Sequence, residues 1–257
     1  MATIPEAQPV QDPIRIVPLH TPPGLLKRAV GQQAPDLTYR GGVLLTNVKV
    51  FTVFWGTGWN EQAVAGVPAQ INDFFKFILT SALIHQIAEY NTAEYKIGHG
   101  SLIGTATVTT PAPKKSTSDA SIQKFLKQEI AKNKAFPQPD ANTLYFVFTP
   151  PGIEITQGGG GSCTSFCGYH DSIGEDIFYA AMPYPNCQGC TGSLAAFDAL
   201  TSTSSHELCE AITDPIPGTG WYDDYNGEVG DICAWQTKTI GKYTVQLEWS
   251  QKHGKCM

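Results

Sequence analysis

The cysteines all lie towards one end of the chain, and their spacing limits how that end can fold. All seven follow residue 162, and apart from Cys209 they are Cys163, Cys167, Cys187, Cys190, Cys233 and Cys256. Cross-links among them would stabilise a loop-rich C-terminal part. The first four are also spaced like a structural zinc site, with two close pairs separated by a longer segment. We favour disulfides because glycine-rich loops flank these residues, and we expect Cys209, inside a predicted helix, to be a buried free thiol.

The composition points to a globular, secreted protein. Charged residues make up 16% of the 257, the net charge is −6, and glycine and proline number 25 and 18. A negative chain is not expected to bind nucleic acid or an anionic membrane. No apolar segment approaches the roughly 20 residues of a membrane span. The N-terminus lacks a basic segment followed by an apolar one, so no signal peptide is visible. The cysteine pattern, the glycine and proline content and the few charges nevertheless predict a secreted domain whose signal peptide is not present in this chain.

Hydrophobic periodicity predicts one α+β domain preceded by an arm. Residues 1–37 are rich in proline and have no sustained period, which indicates an extended arm or a pro-segment. Residues 38–257 form the predicted domain. Its central strands are expected at residues 48–56 and 143–149, and its helices at 62–87 (one long helix or two consecutive ones) and 120–134.

The second half of the domain follows the order expected of a zincin-like catalytic domain. Residues 176–182 alternate enough to be a strand, interpreted as a sheet edge that could bind an extended peptide by strand addition. A helix is predicted within residues 193–212, with a break or a new N-cap near Ser204, because the preceding Ser/Thr segment favours helices poorly. The expected fold is therefore a mixed, twisted sheet packed against long helices, with a disulfide-stabilised C-terminal part.

The motif with the most chemical content lies in that late helix. Residues 204–215 read Ser-Ser-His-Glu-Leu-Cys-Glu-Ala-Ile-Thr-Asp-Pro. On a helix, His206 and Glu210 project from one face, and Glu207 lies close enough to reach a water held by the same ion. This is the layout of an HExxH zinc helix with the second histidine replaced by glutamate. A solvated acidic helix could carry the same pattern by chance.

A third ligand is expected from the turn-rich segment after the helix. Asp231 and Glu228 are the candidates, although carboxylates between glycines are also common turn formers. One imidazole and two carboxylates would make a harder site than His2Glu, so a divalent cation other than Zn²⁺ is an alternative. His170, Asp214 and Tyr222 are predicted to lie around the ion or the substrate, with His170 in a constrained loop after Cys167.

Several short motifs, in order over residues 38–257, resemble the phosphate-induced protein 1/EXORDIUM family. They are Tyr-Arg-Gly-Gly-Val-Leu-Leu at 39–45, Phe-Trp-Gly at 54–56, Phe-Cys-Gly-Tyr-His at 166–170, Asn-Cys-x-x-Cys at 186–190 and Thr-Asp-Pro at 213–215. The resemblance implies an extracellular, cell-wall-associated protein. The His-Glu helix departs from the plant pattern and resembles instead a bacterial or fungal branch with a Ser-His-Glu-Leu-x-Glu helix, which is metallopeptidase-like.

These patterns together predict a secreted, zinc-dependent hydrolase acting on a polypeptide. His206 and Glu210 would bind one Zn²⁺ with Asp231 or Glu228, and Glu207 would be the general base. A non-catalytic extracellular binding or signalling protein of the EXORDIUM type is the alternative from another class. A metal site that serves stability alone is the third hypothesis.

Overall fold

A computed structural model describes residues 17–18 and 34–257 of the chain. Its strands, in chain order, are β1 (Val17–Pro18), β2 (Thr38–Tyr39), β3 (Lys49–Trp55), β4 (Ser101–Val108), β5 (Ser116–Ser118), β6 (Thr143–Thr149), β7 (Glu154–Gln157), β8 (Gly160–Gly161), β9 (Phe166–Ile173), β10 (Ile177–Pro183), β11 (Trp221–Tyr222), β12 (Thr237–Ile240), β13 (Tyr243–Gln246), β14 (Trp249–Ser250) and β15 (Lys255–Cys256). The strands predicted at 48–56 and 143–149 correspond to β3 and β6.

Five α-helices accompany these strands in the described part of the chain. They are α1 (Val67–Ile78), α2 (Ala82–Ile87), α3 (Asp119–Lys132), α4 (Gln188–Thr191) and α5 (Ala196–Thr213). Short 3-10 helices cover Thr57–Asn60, Ala88–Tyr90 and Asp231–Cys233. The predicted helix at 62–87 is therefore two consecutive helices. None of the described helices is both long and apolar enough to cross a membrane.

The main sheet has six strands in the order β1-β9-β10-β6-β3-β4. Strands β10, β6, β3 and β4 run parallel to their neighbours, whereas β9 is antiparallel to β10 and to β1. β6 is buried along its whole length, as expected of a central strand covered on both faces. The prediction of a mixed α+β fold is confirmed, while the zincin-like assignment stays a prediction.

Alternate residues of the central strands contribute to two separate apolar cores, one on each face of the sheet. Phe54, Phe146 and Met182 pack with apolar residues of α1, α2 and α5 on one face. Val53 and Val147, from the same strands, pack with residues of α3 on the other face. The period of two along each strand thus separates α5 from α3. α5 therefore packs on one face of the sheet, and every second side chain of β9 points towards that same face.

The predicted sheet edge at residues 176–182 is wrong in its position. β10 covers this segment and lies between β9 and β6, paired on both sides. Its residues from Phe178 onward are buried, which is the property of an interior strand. Beyond β10 lies β9, and there Val17 of the short edge strand β1 pairs with Gly168 and Pro18 with Phe166. An arm residue, not solvent, therefore borders this side of β9.

Only part of the predicted arm lies within the described residues. Val17 is fully buried against Cys167 and Cys190. Nearer the domain, the backbone N–H of Asp36 donates to the Asp223 carboxylate over 2.7 Å. These contacts fasten two points of the arm to the domain. The rest of residues 1–33 lies outside the described part, so the boundary at residue 37 stays a prediction.

All six clustered cysteines form disulfides, as predicted. The pairs are Cys163–Cys187, Cys167–Cys190 and Cys233–Cys256. This pairing excludes the alternative of a four-cysteine zinc site, because the thiolates that such a site needs are consumed. Cys209 is free and buried within α5, also as predicted.

Candidate metal centre

The helix that carries the His-Glu motif is continuous from Ala196 to Thr213. The break expected near Ser204 is therefore wrong. Two hydroxyl groups of the Ser/Thr segment contact β13 instead: Thr201 Oγ1 donates to the Thr244 carbonyl over 2.7 Å, and Ser205 Oγ accepts the Gln246 N–H over 2.9 Å. Packing against β13 thus outweighs the weak intrinsic helix preference of these residues.

The motif residues face the protein interior. His206, Glu207 and Glu210 are each at most 1% exposed. His206 Nε2 lies 2.9 Å from Glu210 Oε1, across one turn of α5. A solvated acidic helix face, the bland interpretation of the pattern, does not describe this site.

The loop after α5 brings both candidate third ligands to the helix. The Asp231 N–H donates to Glu210 Oε1 over 3.0 Å, and Asp231 Oδ2 accepts the Glu228 N–H over 3.1 Å. The Cys233–Cys256 disulfide fastens the same loop two residues further on. Ligand atoms of His206, Glu210 and Asp231 lie within 4.8 Å of one another, and we call these three residues the His206 set.

A second group of ligand atoms adjoins the first. His170, Glu210 and Glu228 also lie within 4.8 Å of one another and form what we call the His170 set. His170 comes from β9 and not from the constrained loop that the sequence suggested. Its Nδ1 lies 3.1 Å from Glu207 Oε2, and its Nε2 lies 3.5 Å from Glu228 Oε1. Glu210 is shared by both sets.

The other two predicted neighbours have different positions. The Asp214 carboxylate accepts the N–H groups of Gly218, Thr219 and Gly220, so it shapes the turn that ends α5. Its carbonyl oxygen lies 3.1 Å from His170 Nε2, which connects it to the cluster. Tyr222 lies in β11, paired with β2, with the Arg40 guanidinium 4.5 Å from its ring centre. Tyr222 belongs to neither ligand set.

Burial and charge shift the acidity of the cluster in opposite directions. Burial raises the pKa of Glu228 well above its usual value, and the neighbouring Glu210 charge raises it further. Burial also raises the pKa of Glu207, whereas the charge of His206 outweighs burial at Glu210 and lowers its pKa. Burial alone would lower the pKa of His170, but its hydrogen bond to Glu207 raises it to about 9. The crowding of carboxylates therefore favours protonation of Glu207, Glu228 and His170, and a bound cation would compete with those protons.

Several buried polar atoms of this cluster lack a hydrogen-bond partner in the described structure. They are both ring nitrogens of His206, both carboxylate oxygens of Glu228 and Oε1 of Glu207. Buried polar groups are normally paired, and leaving one unpaired costs about 1–3 kcal/mol. A divalent cation would satisfy imidazole and carboxylate groups together. The donor set therefore fits a metal ion.

Two features of the centre carry no signal in the sequence pattern. Glu248 is fully buried with both oxygens lacking a hydrogen-bond partner, and burial raises its pKa well above the usual range. It falls in a segment that reads as strand. Gly230 packs so tightly that a Cβ atom there would lie 2.9 Å from Glu210 Oε1 and from His206 Nδ1. No period or motif distinguishes this glycine from those of ordinary turns.

Comparisons with known proteins add no family to these observations. Neither protein-family models nor curated protein sequences give a match to the chain. The resemblance to the EXORDIUM family therefore stays a prediction, and the chemistry of the centre has to be argued from its own residues.

Proposed function

We propose that the protein is a metal-dependent hydrolase that acts on peptide bonds, with its metal ion held by the His206 set. The observation that supports this most directly is the convergence of His206, Glu210 and Asp231 in a buried cluster whose polar atoms are partly unpaired. One imidazole and two carboxylates suit Zn²⁺ or a harder cation such as Mn²⁺.

Glu207 has the position of a general base in this proposal. Its Oε2 is held by His170 Nδ1 at 3.1 Å, whereas its Oε1 has no hydrogen-bond partner. The held oxygen fixes the orientation of the carboxylate, and the other is available to accept a proton. Burial raises the pKa of Glu207, which brings its basicity closer to neutral pH. A bound cation would polarise the substrate carbonyl and lower the pKa of a bound water.

The surroundings of the centre are compatible with an extracellular protein that takes an extended polypeptide. Three disulfides are the usual property of proteins in oxidising compartments. β9, which carries His170, pairs with β1 at Phe166 and Gly168, so a short extended segment of the chain already binds there by strand pairing, the mode that we propose for a polypeptide substrate. We therefore propose secretion and a polypeptide substrate as parts of the same function.

A metal ion that serves stability alone is the second candidate, because every ligand residue of the two sets except the partly exposed Asp231 is buried. Ala199–Thr213 of α5 is buried at every position, and Glu228 is buried as well. Substrate could reach Glu207 only if the covering segments moved. In this second function the cation would neutralise the carboxylates and connect α5 to β9 and to the loop at Asp231.

Substitution of Glu207 distinguishes the two candidates. Glu207→Gln keeps the volume and leaves the His206 set intact, so both candidates predict that bound zinc is retained. The hydrolase predicts a loss of about 10²–10⁴-fold in cleavage of a peptide library, because general base catalysis contributes that much. Glu175→Gln, in the exposed turn between β9 and β10, is the matched control and should change neither quantity. A wild-type protein that binds zinc, melts earlier with chelator and cleaves no peptide would support the stabilising role and exclude the hydrolase.

A further inference from the structure

Glu210 directs its two carboxylate oxygens towards different groups. Oε1 lies 2.9 Å from His206 Nε2 and accepts the Asp231 N–H over 3.0 Å. Oε2 points to the imidazole of the second set, where it lies 3.6 Å from His170 Nδ1, the nitrogen next to Glu207 and not the one that faces Glu228. A carboxylate with one oxygen on each of two ligand sets has the arrangement of a bridging ligand. In two-metal sites of hydrolytic enzymes the ions lie about 3.5–4 Å apart, within the span of one carboxylate.

The His170 set has the properties of a binding site in its own right. His170, Glu210 and Glu228 are each at most 1% exposed. Neither Glu228 oxygen has a hydrogen-bond partner, and the nearest ion-pairing atom is His170 Nε2 at 3.5 Å. The Asp214 carbonyl oxygen, 3.1 Å from the same nitrogen, is a further oxygen beside the set that could bind a cation.

The hydrogen bond between Glu207 and His170 favours Nε2 as a ligand. A histidine that binds a metal usually donates its other ring N–H to a carboxylate, which fixes the tautomer. Glu207 Oε2 is in that position relative to Nδ1, at 3.1 Å. The remaining nitrogen, Nε2, lies 3.5 Å from Glu228 Oε1 and donates to the Asp214 carbonyl oxygen over 3.1 Å, so a cation bound there would take the place of that proton. The contact therefore orients the imidazole towards the unpaired carboxylate.

The number of carboxylates in the cluster favours two cations over one. The two sets and Glu207 together contain four: Glu207, Glu210 and Glu228, which are buried, and Asp231, which is partly exposed. When all four are ionised and the imidazoles are neutral, one divalent cation would compensate two of these charges and leave two. Uncompensated charge in a protein interior is destabilising. Two divalent cations would balance all four carboxylates.

We propose that the His170 set binds a second divalent cation and that Glu210 bridges it to the first, a dinuclear centre that rests on the proposed function for its first ion. The second ion is held by His170 Nε2, Glu228 and Glu210. In this dinuclear centre His170 and Glu228 are both metal ligands. The sequence analysis predicted His170 only near the ion, and Glu228 only as an alternative to Asp231.

Manganese loading of the full-length protein tests this directly. The protein is stripped with chelator, loaded with Mn²⁺ and dialysed, and bound metal is measured by elemental analysis together with electron paramagnetic resonance. The wild type should hold two Mn²⁺ per chain with an exchange-coupled spectrum. Glu228→Gln should hold one, with the six-line spectrum of an isolated ion, and His170→Asn should do the same. Glu175→Gln, an exposed carboxylate outside both sets, is the control and should keep two coupled ions.

The outcomes separate this inference from the function on which it rests. One Mn²⁺ per chain in the wild type, unchanged in Glu228→Gln, would overturn the second site and leave the first intact. Two ions without exchange coupling would overturn the bridge through Glu210. Two ions retained in both variants would overturn the assignment of the second ion to His170 and Glu228. No bound Mn²⁺ in a folded wild type would overturn the cation centre as a whole. Far-ultraviolet circular dichroism of each variant checks that it is folded, and His170→Asn replaces Glu228→Gln if the latter is not.

Discussion

Gly230 offers the sharpest single-residue test of the centre's packing. Its backbone has φ −84° and ψ −39°, a conformation that alanine adopts without strain. A Cβ atom at this position would lie 2.9 Å from Glu210 Oε1, from His206 Cγ and from His206 Nδ1. Any cost of Gly230→Ala therefore comes from contact with the two ligands and not from the backbone.

The expected magnitude follows from that contact. Adding a methyl group to a well-packed interior costs about 1–3 kcal/mol. For a chain of this size each kcal/mol lowers the melting temperature by about 2–4 °C, so we expect a fall of about 2–12 °C. Displacing ligand side chains by a few tenths of an ångström should also weaken cation binding. We expect a loss of about 10–100-fold, the effect of removing residues that orient the ligands of a metal ion.

The assay is thermal unfolding and zinc titration of Gly230→Ala beside a matched control. Gly66 precedes α1 with φ −81° and ψ −17°, and the nearest atom to a Cβ there is Gln70 Nε2 at 3.7 Å, an ordinary contact. Gly66→Ala should therefore change stability by no more than about 0.5 kcal/mol and leave zinc affinity unchanged. If Gly230→Ala matched this control in both measurements, the close packing of Gly230 on His206 and Glu210 would be refuted.

Two further predictions follow from hydrogen bonds and charge in the same region. Ser205→Ala removes the acceptor of the buried Gln246 N–H and should lower the free energy of unfolding by about 1–3 kcal/mol, measured by chemical denaturation. Ser204→Ala is the control and should not destabilise the fold, because the Ser204 hydroxyl has no partner. Equal effects of the two substitutions would contradict this prediction. Because the pKa of His170 is about 9, this residue is protonated at pH 7 in the metal-free protein, and cation binding there must release its proton. Calorimetric heats of zinc binding should therefore depend on the ionisation enthalpy of the buffer at pH 7, and identical heats in two such buffers would refute proton release.

The sequence predicts the centre best where periodicity and spacing act locally. The helical spacing of His206 and Glu210 requires only that residues 204–212 form a helix, and the turn signals at Asp214-Pro215 define its end. The central strands β3 and β6 are equally local, since β-branched and aromatic residues form continuous apolar segments there. These parts of the fold follow from a few neighbouring residues.

The missed parts depend on contacts between distant segments. His170 follows two cysteines and a glycine, which read as a constrained loop, but pairing with β10 makes it part of strand β9. Its approach to Glu207 joins residues 37 positions apart in the chain, and no local pattern encodes that distance. The continuity of α5 through its Ser/Thr segment likewise depends on hydroxyl contacts with β13. Tertiary structure outweighs local preference in both cases.

Anomalous scattering at the zinc edge, from crystals of the full-length protein soaked in Zn²⁺ and back-washed, tests the cation centre most directly. We expect one anomalous peak within reach of His206 Nε2, Glu210 Oε1 and the Asp231 carboxylate, and a second peak beside His170 Nε2 and Glu228. A folded protein with no anomalous peak at either set, and with no zinc retained in solution, would contradict the claim that this buried cluster binds a metal ion.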